Sequence, residues 1–380
     1  ACEETPSTLF TSLSASQTNV RFQNLLEESA DFNVLKYGYF YNGGGLGVGD
    51  LNNDGVEDLY FSGNLVANQL YYGEEGGNLR YRRAPEAAGI GGADGWNTGV
   101  SLVDINGDGW LDIYQCRSAA ASPRLRRNLL FVNNGDETFT ERAAEYGLAD
   151  PAYSTQAVFF DYDRDGDLDC FILNHSVQQY AGFAAANRRN KATYDRNFAS
   201  KLFRNDGGAF TDITEAAGLT TNVLGFGLAV AVSDFDGDGW ADLYVSNDYH
   251  EEDYFYRNQA DGTFRSELRA AFDHVSLFSM GSDVADLNGD GRPDLVTLDM
   301  LPAGNERIKM TSGDDNYQKF RALVDQGFFY QYSRNMLHLN RGDRFVEVGQ
   351  QWGISNTDWS WSVLAGDLDL DAKPDLFVTN

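Results

Sequence analysis

The sequence predicts an all-β β-propeller, and three observations predict it. An Asp-rich pattern returns six times along the 380 residues. Strand-like apolar runs flank the copies, as Gly99–Val103 and Leu111–Tyr114 do. No apolar period of 3.6 residues recurs from copy to copy, so stacked helices are disfavoured. Composition agrees, since 40 glycines, 20 tyrosines and 25 phenylalanines suit many short strands joined by tight turns.

The six copies share one spacing, with an acid or amide at positions 1, 3 and 5 and Asp at position 9. They are Asp50, Asn52, Asp54 and Asp58; Asp104, Asn106, Asp108 and Asp112; and Asp161, Asp163, Asp165 and Asp169. Then come Asp234, Asp236, Asp238 and Asp242; Asp286, Asn288, Asp290 and Asp294; and Asp367, Asp369, Asp371 and Asp375. Successive first aspartates lie 54, 57, 73, 52 and 81 residues apart, which is one four-stranded blade of ~40–50 residues plus insertions. A second motif follows each of the first five loops: an aromatic or Leu pair, a Gly or Asn turn, Phe or Tyr, then Ala-rich residues and Gly. Leu202–Gly218 and Leu129–Gly147 are clear copies. Two strands around the loop and two around the second motif make a blade. Leu9–Leu13 aligns with the second motif at Ala209–Ile213, so the chain opens on the tail half of a repeat, and it ends on a head half at Asp375–Asn380. Pairing of the two terminal halves in one blade would remove exposed edges.

Oxygen donors at alternating positions suit a hard cation that takes 6–8 oxygen ligands at ~2.3–2.6 Å. Gly at position 6 permits the sharp turn in five loops, and Ala372 replaces it in the sixth. Magnesium prefers fewer protein ligands, and zinc is disfavoured because no Cys or His enters a loop. The expectation is five or six Ca²⁺ ions, and six would offset twelve of the 28 net negative charges. Left without metal, the clustered carboxylates repel one another, so folding and calcium binding are expected to be coupled.

That same net charge argues against nucleic acid and anionic lipid headgroups as partners. No apolar run is long enough to span a bilayer as a helix. Cys116 and Cys170 lie in apolar runs and read as buried inert thiols, though the sequence leaves a disulfide between them open. Cys2 stands before Glu3-Glu4-Thr5-Pro6-Ser7-Thr8 and resembles the acylated N-terminal Cys of bacterial lipoproteins, which implies a removed signal peptide. The acidic residues after it resemble surface-export signals. Residues 1–8 are therefore expected to be a tether, and 9–380 the propeller.

At its loops the chain resembles the calcium-binding repeats of integrin-type propellers, the FG-GAP or VCBS class. Asn42–Asp54, Leu298–Pro302, Arg334–Asn340 and Thr357–Trp361 resemble bacterial members of the cartilage-acidic-protein-like group, whose propeller precedes a small UnbV-type domain. The resemblance covers nearly the whole chain from Leu9. It implies seven blades, six of whose head motifs are visible here, and a chain that continues beyond Asn380.

Two insertions, 174–201 and 299–334, mix aromatic and basic residues, among them Tyr180, Phe183, Arg188, Arg189, Tyr194 and Arg196, then Lys309, Tyr317, Lys319, Phe328, Phe329 and Tyr330. They read equally as a binding surface or as packing that seals one face. Arg341-Gly342-Asp343 occupies a turn slot of the second motif, as Asn134-Gly135-Asp136 does, and reads as a turn rather than an adhesion signal. His175, His250, His274 and His338 share no spacing, and no catalytic triad is visible. The expected function is non-catalytic: a lipid-anchored binding or scaffolding subunit of an outer-membrane assembly on the cell surface, for nutrient capture or protein export. Its expected partner is a protein of that assembly or a surface glycan. A calcium-dependent polysaccharide lyase and an adhesin are the alternatives.

Overall fold

A computed structural model describes residues 9–177, 188–219, 222–311 and 317–380. Cys2 and the tether, together with Tyr180 and Phe183, lie outside the described residues.

Each acidic loop joins the first two strands of an antiparallel sheet. The first sheet runs β1 (Leu46–Gly49), β2 (Asp58–Phe61), β3 (Gln69–Gly73) and β4 (Tyr81–Arg83). The second runs β5 (Trp96–Val103), β6 (Asp112–Ser118), β7 (Leu129–Asn133) and β8 (Phe139–Glu141). The third is β9 (Ser154–Phe160), β10 (Asp169–Asn174), β11 (Lys201–Asn205) and β12 (Phe210–Asp212). The fourth is β13 (Gly227–Ser233), β14 (Asp242–Asn247), β15 (Tyr254–Asn258) and β16 (Phe264–Ser266). After β17 (Val275–Ser276), the fifth opens with β18 (Ser282–Ala285) and β19 (Asp294–Thr297). β20 (Met300–Leu301) and β21 (Gln331–Tyr332) belong to the second insertion, and β22 (Met336–Asn340) and β23 (Phe345–Glu347) complete the fifth sheet. β24 (Asp358–Trp359) pairs back to β20, and β25 (Ser362–Gly366) with β26 (Asp375–Thr379) forms a two-stranded sixth sheet. The four-strand unit read from the two motifs is thus the unit observed.

The core is a series of layers between successive sheets, because each sheet offers an apolar face to its neighbour. Tyr60, Leu70 and Tyr72 of the first sheet meet Ile113 and Phe131 of the second. Tyr114, Cys116 and Leu130 meet Cys170, Ile172 and Phe203. Phe171 and Leu202 meet Val230 and Leu243; Tyr244 and Phe255 meet Leu295 and Phe345; Val296 and Leu337 meet Val363. Each large side chain buried in such a layer contributes about 1.5–3 kcal/mol. Close approach is built in at Gly49, where a Cβ would come within 2.9 Å of Leu102. Cys116 and Cys170 are free thiols in the second layer.

Antiparallel connectivity sorts the loops onto two ends. The acidic loops and the turns between third and fourth strands share one end. The insertions and the links from sheet to sheet share the other. There residues 26–40 pack Phe32, Tyr37, Tyr39 and Phe40 against Trp96 and Phe226. The two insertions meet as well, through Phe198 against Leu323 and Phe328. Residues 9–13 form no strand, but Phe10 lies edge-on to Phe377 of β26 at 6.2 Å.

Candidate metal centres

All six loops fold alike, because the first Asp organises the turn with its own carboxylate. In the first loop Asp50 accepts the N–H of Asp54 at 3.1 Å and of Gly55 at 2.8 Å. Asp104, Asp161, Asp234, Asp286 and Asp367 accept the equivalent pairs. The turn requires left-handed backbone at positions 4 and 6 of every loop. Glycine fills position 6 five times, whereas the sixth loop holds Leu370 at φ 64° and Ala372 at φ 67°. Ala372 therefore completes the same turn at a steric cost rather than breaking it.

The position-9 carboxylate clamps the loop to the sheet, and in the first five loops it is buried. Asp242 accepts Phe235 N–H at 3.2 Å from its own loop and Asn258 N–H at 2.8 Å from the third strand. Asp58, Asp112, Asp169 and Asp294 make the same two bonds, and Asp375 accepts Leu368 N–H. Burial pushes Asp58 and Asp112 up to about 6 and Asp169 and Asp242 to about 7; loop carboxylates push the same way and the backbone N–H groups oppose. A cation would reverse that balance by favouring the ionised form.

Three carboxylates converge in three of the loops. Asp161, Asp163 and Asp169 place one oxygen each within 4.8 Å of one another, as do Asp234, Asp236 and Asp242, and Asp367, Asp369 and Asp371. Oδ1 of Asp163 is buried with no hydrogen-bond partner, a costly arrangement that a bound cation would relieve. In the fourth loop Arg257 already pairs with Asp236. In the first and second loops Asn52 and Asn106 accept the position-5 N–H through the amide oxygen, so that oxygen belongs to the turn. Asn288 differs, donating to Asp294 at 3.2 Å. The donors are all oxygen, and no His or Cys approaches, so the residues fit a calcium-like ion.

The sequence reading missed a second buried set. Asn133, Asn258 and Asn340 end the third strands, and each donates its amide to a carbonyl in the acidic loop of the preceding sheet. The acceptors are Leu51 O at 2.8 Å, Tyr162 O at 2.8 Å and Phe235 O at 2.7 Å. Each amide also reaches its own sheet, at Leu111, Ala241 and Pro293. Their recurrence in the second motif was the available signal. Arg341-Gly342-Asp343 is the turn between β22 and β23, with Gly342 N–H on Asn340 Oδ1 at 2.8 Å and Arg341 3.5 Å from Asp290. The four histidines are not gathered into one site; His175 and His338 are fully buried, and burial lowers them to about 4 and about 3.

Repeated acidic turns on a repeated four-stranded sheet match a known pattern. The FG-GAP-like repeat aligns with residues 50–114, 119–172, 234–297 and 326–378, well over half the chain. The chain belongs to the FG-GAP-like repeat family. The four aligned FG-GAP-like segments between them contain all six acidic loops. Among relatives, cartilage acidic protein 1 of Xenopus tropicalis is 25% identical over 320 residues, covering 80% of this chain and 46% of that protein. The Mus musculus and Homo sapiens proteins of that name are each 26% identical, covering 59% of this chain and 31% and 30% of theirs. The chain thus spans less than half the length of the curated relatives it matches. Solved structures overlap it loosely: BBS1N in complex with ARL6DN at TM-score 0.40 and 8% identity, over 84% of this chain and 69% of that one. The Vibrio cholerae biofilm matrix protein Bap1 overlaps at TM-score 0.38 and 12% identity, over 80% and 38%.

Proposed function

We propose that this FG-GAP-like chain is a calcium-loaded, non-catalytic binding module. It is held on the bacterial cell surface by acylation at Cys2 and acts as a scaffolding subunit of an outer-membrane assembly for nutrient capture or protein export. The observation that carries the calcium part is the convergence of three carboxylates in the third loop around the unpartnered Asp163 Oδ1. Its ligands come from positions 1, 3, 5 and 9 of each loop. The ion would bridge the turn to the buried position-9 Asp, and so tie loop to sheet. Family membership supports a binding domain rather than an enzyme, and the partner is a protein of the assembly or a surface glycan.

The test is thermal unfolding with ~1 mM calcium and after excess EDTA. With site constants of ~10–100 μM, each ion adds roughly 1.4–2.7 kcal/mol by mass action. Chelation should therefore lower the melting temperature sharply, and an unchanged melt would remove calcium from the reading.

A further inference from the structure

The third and fourth acidic loops carry aspartates at the same four positions, yet their sheets treat them in opposite ways. In both sheets the third strand ends on Arg-Asn, so Arg204 of β11 and Arg257 of β15 hold equivalent places. Arg204 pairs with Asp206 at the turn beyond its strand, with Nε 3.0 Å and Nη2 3.1 Å from the carboxylate. It makes no ion pair with a carboxylate of the third loop. Arg257 turns into its own loop instead. Its Nη1 donates to Asp236 Oδ2, and its Nε lies 2.9 Å from Glu267 Oε2. The sequence supplies the difference: Gln259 follows Asn258 where Asp206 follows Asn205, and Glu267 stands three residues after Phe264 where Ile213 follows Phe210.

Three carboxylates converge in each of these loops, and like charges so close repel one another. No ion pair offsets that repulsion in the third loop, where Asp163 Oδ1 is buried and unpartnered. In the fourth loop Arg257 offsets it from a side chain only 16% exposed, against Asp236 at 20% and Glu267 at 18%. Removing one partner from so sheltered a pair leaves its charge uncompensated, which is costly. Cations beside the fifth and sixth loops are more loosely held: Arg341 near Asp290 is 48% exposed and Lys373 near Asp371 is 78% exposed. Such surface pairs are screened by water and are readily exchanged. Arg164, exposed at position 4 of the third loop, reaches across to within 5.4 Å of the Trp240 ring and adds positive charge beside the fourth loop. A divalent ion entering the fourth loop must displace Arg257 from Asp236 or sit against a guanidinium that Glu267 holds in place. An ion entering the third loop meets no such pair.

We propose that Arg257 is the built-in cation of the fourth loop: it holds that turn without metal and makes the loop a weaker calcium site than the third. The weaker-site half rests on the calcium reading above; the metal-free half does not. Calcium would then stabilise the molecule unevenly, with the third loop dependent on the ion and the fourth already neutralised in part by its own side chain.

The experiment compares wild type with Arg257→Met, Arg257→Lys and the matched control Arg204→Met. In excess EDTA, Arg257→Met should melt well below wild type, because the clustered carboxylates lose their paired charge. Arg257→Lys should recover much of that loss, and Arg204→Met should stay close to wild type. In calorimetric calcium titrations, one site of Arg257→Met should bind about tenfold or more tightly than its wild-type counterpart, the equivalent of one charged hydrogen bond no longer in competition. Equal EDTA melts for wild type and Arg257→Met, or equal losses in the Met and Lys variants, would overturn the built-in cation. Calcium bound with the same affinities by wild type and Arg257→Met would overturn the weaker-site half and leave calcium binding standing. No calcium bound by any of the four proteins would end the calcium reading, and the EDTA comparison would still decide the role of Arg257.

Discussion

Asn258 contributes no apolar surface and no loop carboxylate, yet it joins two sheets with one amide. Of its two N–H bonds, the one to Tyr162 O is buried and the one to Ala241 O is part-buried. Removing the amide strands the Tyr162 carbonyl away from water, which costs about 1–3 kcal/mol. Asn258→Ala should therefore lower the unfolding free energy from urea titration in calcium by that amount. Asn134→Ala, at an exposed turn, should stay within about 0.5 kcal/mol. Equal losses would show that the amide does not staple the sheets. The aspartates were readable in the sequence because six copies fall in phase with strands. The asparagines were not, because their acceptors belong to the preceding sheet and lie up to 105 residues away.

Between elements, the packed segment 26–40 reaches the fourth sheet through Tyr39, whose hydroxyl donates to Asp248 at 3.0 Å. Asp248 and Asp253 are pushed up to about 7 and Asp299 to about 6, in each case chiefly by burial. A carboxyl raised on folding adds stability below its ordinary pKa near 3.8, and that stability is lost as pH rises through the folded value. With calcium in excess to hold the loops, the contribution of these three carboxyls to the melting temperature should fall from about pH 4 to about pH 7 and level off above. Asp248→Asn cannot ionise, so it should flatten part of that slope; Asp253 keeps the remainder. Parallel wild-type and variant curves would refute the assignment. Element type and the four-strand unit were legible from alternation and turn chemistry. Which segment covers the insertion end was not, because residues 26–40 carry no repeat signal, and their aromatic cluster exists only once Trp96 and Phe226 are brought together.

Across the whole molecule, the first strands β1, β5, β9, β13, β18 and β25 lie beside one another in succession. The two end strands turn Leu46 and Val48, and Leu364, to solvent on the faces away from their neighbours. Placement of the molecule is a separate question, which rests on Cys2. Cys2→Ser in the precursor should move the protein out of the membrane fraction, and intact mass of wild-type protein should show acyl chains; an unmodified Cys2 ends the anchor proposal. The sequence by itself determined the strand repeat, the acidic turns and the family, because each is a short-range pattern whose physics is local: a carboxylate capping its own turn, a glycine at a left-handed position. Only the tertiary structure decided which amides bridge sheets, that Cys116 and Cys170 stay unpaired, and that Arg257 pairs with Asp236. Those depend on contacts between residues far apart in the chain, which no local pattern encodes.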